Sequence, residues 1–254
     1  KEPMGKAQEQ QLEEYLKQVL PQVKGVVLSD YGSGTITDKL LGQIFAYCQE
    51  HNIPTIVDSR YDILRFKTVD YIKQNDAELS AAIGRDLATE EELVQGGCEL
   101  LLKMSAKGAL ITRGEDGMSL FQIISPQEAA DYLKSQEVSG SGEAGQFREG
   151  LTVKLVVKRQ TGRLSVVQEL ISYQDRDILV SHIPVTDKSE VYDVSGAGDT
   201  CVATVILGLA AGLEPLLACQ LSNEASGIAV RKMGTSVVYA RELEARFRQL
   251  GYEA

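Results

Sequence analysis

The stretch Val191-Tyr192-Asp193-Val194-Ser195-Gly196-Ala197-Gly198-Asp199-Thr200 leads straight into an apolar run from Cys201 to about Ala211. The run predicts a helix, and the glycines mark its start. A small residue between two glycines lets the backbone turn tightly and bare its N–H groups. At a helix N-terminus those groups carry about half a positive charge. Gly196, Ala197 and Gly198 therefore read as a cradle for an anion. Asp199 falls in the first turn of the same helix. A carboxylate there is an odd partner for simple anion binding, because like charges repel. The pairing makes sense if the carboxylate takes a proton from an attacking hydroxyl while the cradle holds a phosphoryl group in transfer. The plainer alternative is that Asp199 only complements the helix dipole, worth about 0.3–1 kcal/mol. The segment is not a Walker A loop, since no Lys-Ser/Thr follows, and it is not GxGxxG.

Working outward, short apolar strands alternate with helices. Gln8 to Val19 has Leu12, Tyr15, Leu16 and Val19 at helical spacing. Gly25-Val26-Val27-Leu28 is a strand ending in Ser29-Asp30-Tyr31-Gly32-Ser33-Gly34, and Thr37 to Glu50 is the next helix. Thr55-Ile56-Val57 stops at Asp58, and Val69-Asp70-Tyr71-Ile72 ends near Asn75. Thr89-Glu90-Glu91-Glu92 has the form of a capping box and opens a helix to about Met104. Ala109-Leu110-Ile111-Thr112 ends at Arg113-Gly114, and Met118 to Ile123 is a further strand. This alternation predicts a parallel sheet with crossover helices. In such sheets ligands bind at the carboxyl ends of the strands, where Asp30, Asp58, Asn75 and Thr112 fall. Polar residues also end strands and cap helices with no further role.

The rhythm breaks from about Ser125 to Ser181. Ser125 to Gln136 reads as a helix with Pro126 at its first position. Ser139 to Gly150, with Gly140, Gly142 and Gly145, reads as a mobile loop. Thr152 to Lys158 and Leu164 to Ile171 form a candidate hairpin, with Gly162 available for a positive φ. No chemistry is visible there, which points to a surface insertion or an oligomer contact. Further on, Leu216 to about Lys232 is a helix, Thr235 to Val238 a last strand and Arg241 to Leu250 a closing helix.

Composition sets outer limits. The 254 residues carry 26 Lys+Arg against 36 Asp+Glu, a formal charge of −10, which argues against a nucleic-acid binder. Hydrophobic residues are 43%, enough for a large core. No run approaches the ~20 apolar residues of a membrane span. Residues 1–6 are polar rather than signal-like, and a start at Lys1 suggests a piece of a longer product. Cys48, Cys98, Cys201 and Cys219 are far apart and read as free thiols in a reducing compartment, hence a cytoplasmic location. With only His51 and His182, neither a multi-His metal site nor a His-based triad is expected.

Asp193 to Thr200 resembles the C-terminal signature of the ribokinase/PfkB family of carbohydrate kinases. Other segments agree in order. Ser29-Asp30-Tyr31-Gly32-Ser33-Gly34 is similar to a segment of the heptose 7-phosphate kinases that form one half of ADP-heptose synthases. Asn75-Asp76-Ala77-Glu78 fits the family's Asn-x-x-Glu. Thr112 to Met118 resembles its nucleotide-contacting strand end, and Asn223 to Ser236 its adenine-side helix and following turn. The resemblance implies a three-layer α/β/α fold with a mostly parallel sheet, and ATP-dependent phosphorylation of a sugar or sugar phosphate. Heptose 7-phosphate is the leading acceptor.

The same resemblance implies roles for the matching residues. Asp199 would be the base, with Gly196, Ala197 and Gly198 as the anion hole. Glu78, with Asn75, would organise Mg²⁺ near the ATP phosphates. Thr112, Gly114 and Asn223 would border the nucleotide. Asp193, Ser195 and the backbone near Gly234 lie where many relatives bind a monovalent cation such as K⁺. Two departures stand out. The family's N-terminal sugar-binding and lid segment has no counterpart in residues 1–25, so residues 1–254 read as one domain incomplete at its N-terminus. A separate N-terminal subunit, a homo-oligomer or a non-catalytic nucleotide-binding scaffold remain alternatives. The insertion at about 125–181 stands where relatives have a short connection. Asp58-Ser59-Arg60 also replaces a frequent Asp-Pro-Lys, leaving Arg60 to supply positive charge.

Overall fold

A computed structural model describes residues 4–139, 142–144, 147–148, 150–161, 164–188 and 191–251. In chain order the elements are α1 (Lys6–Val19), β1 (Val26–Asp30), α2 (Asp38–Glu50), β2 (Thr55–Ser59), β3 (Tyr71–Asn75), α3 (Asp76–Ile83), α4 (Glu90–Met104), β4 (Gly108–Thr112) and β5 (Met118–Ile124). Then come α5 (Pro126–Ser139), β6 (Gly142–Ala144), β7 (Phe147–Arg148), β8 (Leu151–Thr161), β9 (Leu164–Tyr173), β10 (Arg176–Ile183), α6 (Ala197–Ala210), α7 (Pro215–Ala229) and α8 (Ala240–Gln249).

The sheet runs β1-β2-β3-β4-β5-β10-β9-β8-β6, with β7 also paired to β8. The first four strands are parallel neighbours, as the alternation predicts. From β5 onward the pairings are antiparallel. Parallel register puts the polar ends of β1 to β4 along one edge: Asp30 opposite Ser59, Asp58 opposite Lys73, Asn75 opposite Thr112.

Strand alternation divides the core between two faces. Val57, Ile72, Ile111 and Phe121 pack with Leu41 and Ile44 of α2 and Val94 and Leu101 of α4. Ile56, Leu110, Met118 and Leu120 face the other way, onto Cys201, Val202, Val205 and Ile206 of α6 and Cys219 of α7. The expected three-layer order is thus present. α4 shows how local sequence serves it. Thr89 Oγ1 accepts from Glu92 N, and the Glu92 carboxylate accepts in turn from Thr89 N, so the capping box closes. Its apolar side, Leu93 to Met104, is then buried against the sheet.

The insertion departs from expectation in one respect. The helix and hairpin are there, as α5, β8 and β9, but the hairpin is no surface appendage. β9 pairs with β10 and β10 with β5, so the central sheet continues through it. Leu151, Val153, Ile171 and Tyr173 join the core on the α4 face because their side of the hairpin faces the same layer. Within the expected mobile loop, β6 and β7 pair with β8. Gly140 and Gly145 lie outside the described residues, as does Gly162 with its expected positive φ. Thr235 to Val238 is not a strand. It passes the start of α6 with Val237 exposed, and among the described residues no neighbouring strand offers it a ladder.

All four cysteines are buried and free. Burial pushes the Cys48 thiol up to about 11 and the Cys98 thiol up to about 12, so both stay neutral and inert. Among the described residues no helix is long and apolar enough to cross a membrane.

At Gly97 the α4 backbone lies against the fully buried ring of Phe121, and an added Cβ would overlap three ring atoms. Two effects oppose at this position. Alanine favours a helix over glycine by about 1 kcal/mol, while overpacking a rigid core costs about 1–3 kcal/mol. The overlap wins, so Gly97→Ala is expected to lower unfolding free energy in urea by about 1–2 kcal/mol. Most of that loss should return in the double variant Gly97→Ala/Phe121→Leu; simple additivity would show the clash is elsewhere.

Candidate active site

α6 begins without a side-chain cap. Its N-cap, Gly196, has φ +77°, and a Cβ there would stand 3.0 Å from Thr235 Cγ2, so glycine fits on both counts. Thr200 N donates to Gly196 O at 2.9 Å. Ala197 N already donates to Val194 O at 3.2 Å. The N–H groups of Gly196, Gly198 and Asp199 form no bond among the described residues.

Asp199 is met from across the sheet edge. Tyr31, in the loop after β1, donates its hydroxyl to Asp199 Oδ1 at 2.9 Å. That bond, with burial, raises the Tyr31 phenol above its ordinary value, so it stays protonated. Asp30 holds the loop in place. It is 5% exposed, and its carboxylate accepts from Gly32 N at 2.9 Å and from Ser59 Oγ at 3.0 Å.

Beneath α6 lies a pair that the sequence did not single out as a site. Lys73 Nζ donates to Asp58 Oδ2 at 3.0 Å, with both side chains largely buried. Burial pushes the Asp58 carboxyl up, Lys73 pulls it down, and Glu78 and Asp199 add to the rise. Burial works against the Lys73 charge, but Asp58 and Glu78 outweigh it and lift the ammonium above the ordinary lysine value. Asp58, Lys73, Glu78 and Asp199 thus form one electrostatic group. Arg60, the expected source of charge, instead lies 5.9 Å from the ring of its exposed neighbour Tyr61.

Asn75 and Glu78 form the capping box of α3. Glu78 N donates to Asn75 Oδ1 at 2.7 Å, and Asn75 N to Glu78 Oε2 at 2.9 Å. The structural role of this pair is thus filled, with Glu78 Oε1 left over. Among the described residues no three His, Cys, Asp or Glu groups gather as a metal cage. A magnesium ion suits such a site because it keeps its waters and often takes only one or two carboxylates plus substrate phosphates.

Thr112, Gly114 and Asn223 all line a cavity of about 430 Å³ between the β4–β5 turn, α6 and α7. Met118, Val194 and Val230 give it an apolar wall, and Ala197 and Gly198 also line it. Asn223 Nδ2 donates to Pro184 O at 2.8 Å, which fixes the chain entering the cavity from β10. Sequence reading missed the polar group here. Glu224, 3% exposed, accepts from Thr186 Oγ1 at 2.7 Å and from Arg246 Nε at 2.7 Å. No sequence signal links residues so far apart along the chain.

Asp193 stands apart from this group. Its Oδ1 accepts from Ser195 N at 2.9 Å and its Oδ2 from Gly234 N at 3.0 Å, tying the segment before α6 to the turn after α7. Toward a monovalent cation it offers its carboxylate beside the turn at Gly234.

The layout is that of a small-molecule phosphotransferase: an uncapped helix start, a first-turn carboxylate and an apolar cavity at the carboxyl edge of a parallel sheet. The chain belongs to the pfkB family of carbohydrate kinases, whose profile matches residues 2–139 and 170–240. The match leaves out residues 140–169 and takes in β10. The chain is 31% identical over 250 residues to the bifunctional protein HldE of Hyphomonas neptunium, and 30% over 228 residues to that of Rhodospirillum rubrum. The alignments take in 98% and 89% of this chain but 40% and 35% of those proteins, so the chain spans well under half the length of these relatives. In fold it is similar to phosphofructokinase-2 from Escherichia coli in complex with potassium, with TM-score 0.60, 19% identity, and 98% of this chain over 64% of that one. It is also similar to Arabidopsis thaliana ribokinase complexed with ribose and ATP, with TM-score 0.58, 16% identity, and 100% of this chain over 61% of that one.

Both bonds to Asp193 favour its charged form, and its carboxyl is held below the ordinary value by Ser195 first and then Gly234. A lowered folded value means the stabilisation is complete above the ordinary value and is lost as pH falls through the lowered one. Between about pH 5 and pH 3 the thermal midpoint of the unaltered chain is expected to fall more steeply than that of Asp193→Asn. Parallel curves would show that these bonds carry no linkage.

Proposed function

We propose that this chain carries the catalytic half of an ATP-dependent kinase for a sugar or sugar phosphate, with heptose 7-phosphate the first acceptor to test. The observation that carries the reading is Asp199 Oδ1, which accepts a hydroxyl at 2.9 Å beside the open start of α6. Tyr31 marks the direction from which an acceptor hydroxyl would donate. In the reaction, Asp199 takes the proton as the acceptor oxygen bonds to the γ-phosphorus of ATP and the bond to ADP breaks. The N–H groups of Gly198 and Asp199 hold the charge that builds on the phosphoryl oxygens. The adenosine part would lie in the cavity bordered by Thr112, Gly114 and Asn223. Glu78, held by Asn75, would bind the magnesium, which when present neutralises charge on the β- and γ-phosphates. Asp193 and the turn at Gly234 are the place for a potassium ion, a reading supported by the potassium complex of the similar Escherichia coli phosphofructokinase-2. Buried free thiols suit a cytoplasmic enzyme.

A second reading is favoured by one observation. β1 is an edge strand, and Tyr31 and Tyr61 are exposed beside it. A sugar-side segment from a separate N-terminal subunit, or from a second copy, would add there. In that case the chain binds ATP alone and turns over only with the added segment.

Asp199→Asn is expected to lower kcat by at least about 10²-fold while leaving nucleotide affinity within a few-fold. ADP release from Mg-ATP, against a panel of sugars and sugar phosphates, measures it. Full turnover in the variant would remove Asp199 from the role of base.

A further inference from the structure

The amino ends of the parallel strands, at the far end of the sheet from Asp199, hold a second cavity of about 580 Å³. It lies between the start of β3 and the loops that follow α2, α4 and α6. These helices run against the strands, so all three end here and turn the negative poles of their dipoles toward the cavity. The last turns of α2 and α6 carry no basic residue to offset those poles. The Tyr71 ring is wedged against Gly108, where a Cβ would come within 2.7 Å of it, yet the Tyr71 hydroxyl makes no bond among the described residues. Burial, then Asp70, Cys219 and Glu214, push the phenol up to about 12, so it stays protonated with its oxygen free to accept. Glu214, between α6 and α7, has a carboxylate with no hydrogen bond or ion pair among the described residues. Asp70 is already engaged by Thr55 and by Lys107, whose ammonium lies 2.8 Å away, so that lysine does not neutralise Glu214. At the end of α2 the side-chain amides of Gln49 and Asn52 also line the cavity, and they too are unbonded among the described residues. α2 and α6 pack on opposite faces of the sheet, so Glu214 and this amide pair stand at opposite rims. Ile53, Leu209 and Leu213 make the rest of the lining partly apolar.

We propose that this cavity binds a small aliphatic diamine. One ammonium donates to the Glu214 carboxylate and the Tyr71 hydroxyl oxygen. The other donates to the amide oxygens of Gln49 and Asn52 at the end of α2, and the carbon chain covers the apolar lining. A volume of this order suits a small molecule. A neutral ligand gains little from the helix poles, and an anion is repelled by them and by Glu214. The site lies away from the phosphotransfer residues and does not rest on the kinase reading.

The competing explanation is that a chain with a formal charge of −10 attracts any polycation. Calorimetric titration of the full chain with putrescine at fixed ionic strength separates the two. Saturable binding of one equivalent is expected, weakened by about 10-fold or more in Glu214→Gln and by about 3-fold or more in Tyr71→Phe. The Glu214 side chain makes no cap bond and Tyr71→Phe removes only an unbonded hydroxyl, so both variants should keep the thermal midpoint of the unaltered chain. Butylamine, with one ammonium, is expected to bind at least about 10-fold more weakly than putrescine. The matching diol and the dicarboxylate succinate should show no saturable binding. Asp199→Asn should bind putrescine as the unaltered chain does. The proposal is overturned if putrescine binding is not saturable, if Glu214→Gln keeps full affinity, if butylamine binds as tightly as putrescine, or if the diol or succinate binds. It is equally overturned if the loss follows Asp199→Asn instead, which would put the amine among the active-site carboxylates.

Discussion

Everything at the site follows from where α6 must lie. Its side chains are nearly all apolar, and Cys201, Val202, Val205 and Ile206 can be buried only against the second face of the sheet. The approach is close. A Cβ on Gly25 would stand 2.9 Å from Ile206, and one on Gly208 would stand 2.9 Å from Ala218 of α7. Such packing leaves α6 little freedom to slide. Its uncapped start is thereby pinned over the carboxyl ends of the parallel strands. Burial of one greasy helix thus sets the position of the glycine turn, of Asp199 and of the cavity wall formed by Ala197, Gly198 and Cys201.

The second constraint is electrostatic. Four parallel strands end together, so their terminal polar groups crowd one edge. Asp30 is satisfied within the fold by Gly32 and Ser59. Asp58 is satisfied by Lys73. Asp199 receives one hydroxyl and otherwise faces the open side. The edge therefore separates carboxylates that build the scaffold from one that remains available for chemistry. A buried ion pair such as Asp58–Lys73 adds little net stability.

The antiparallel half of the sheet obeys a different logic. β10 is shared with the family, and through β5 it supports the wall of the cavity. β8 and β9 continue from it and lie mostly in the stretch that the family profile leaves unmatched. Leu151, Val153, Ile171 and Tyr173 enlarge the α4-side core, while Val166 joins the core on the α6 side. They extend the sheet away from the parallel edge.

The alternation of strands and helices, the capping box at Thr89, and the anion-cradle motif were all legible in the sequence, because each rests on local periodicity or on residues a few positions apart. Composition and periodicity also determined the layered α/β class. What the sequence misled on was non-local. Thr235 to Val238 has strand-like residues but no partner within reach, and the hairpin looked like an appendage because nothing local tells a strand which sheet it will join. Nothing local in the sequence marks Lys73, which the register sets beside Asp58 and the fold brings close to Gly198, far along the chain. Likewise Glu224, Thr186 and Arg246 meet only because α7 and α8 close on the end of β10. The sequence by itself determined the class of fold, the start of α6 and the carboxylate at its first turn. Only the tertiary structure decided which charges face that carboxylate, because long-range packing and strand register, rather than neighbours along the chain, bring them together.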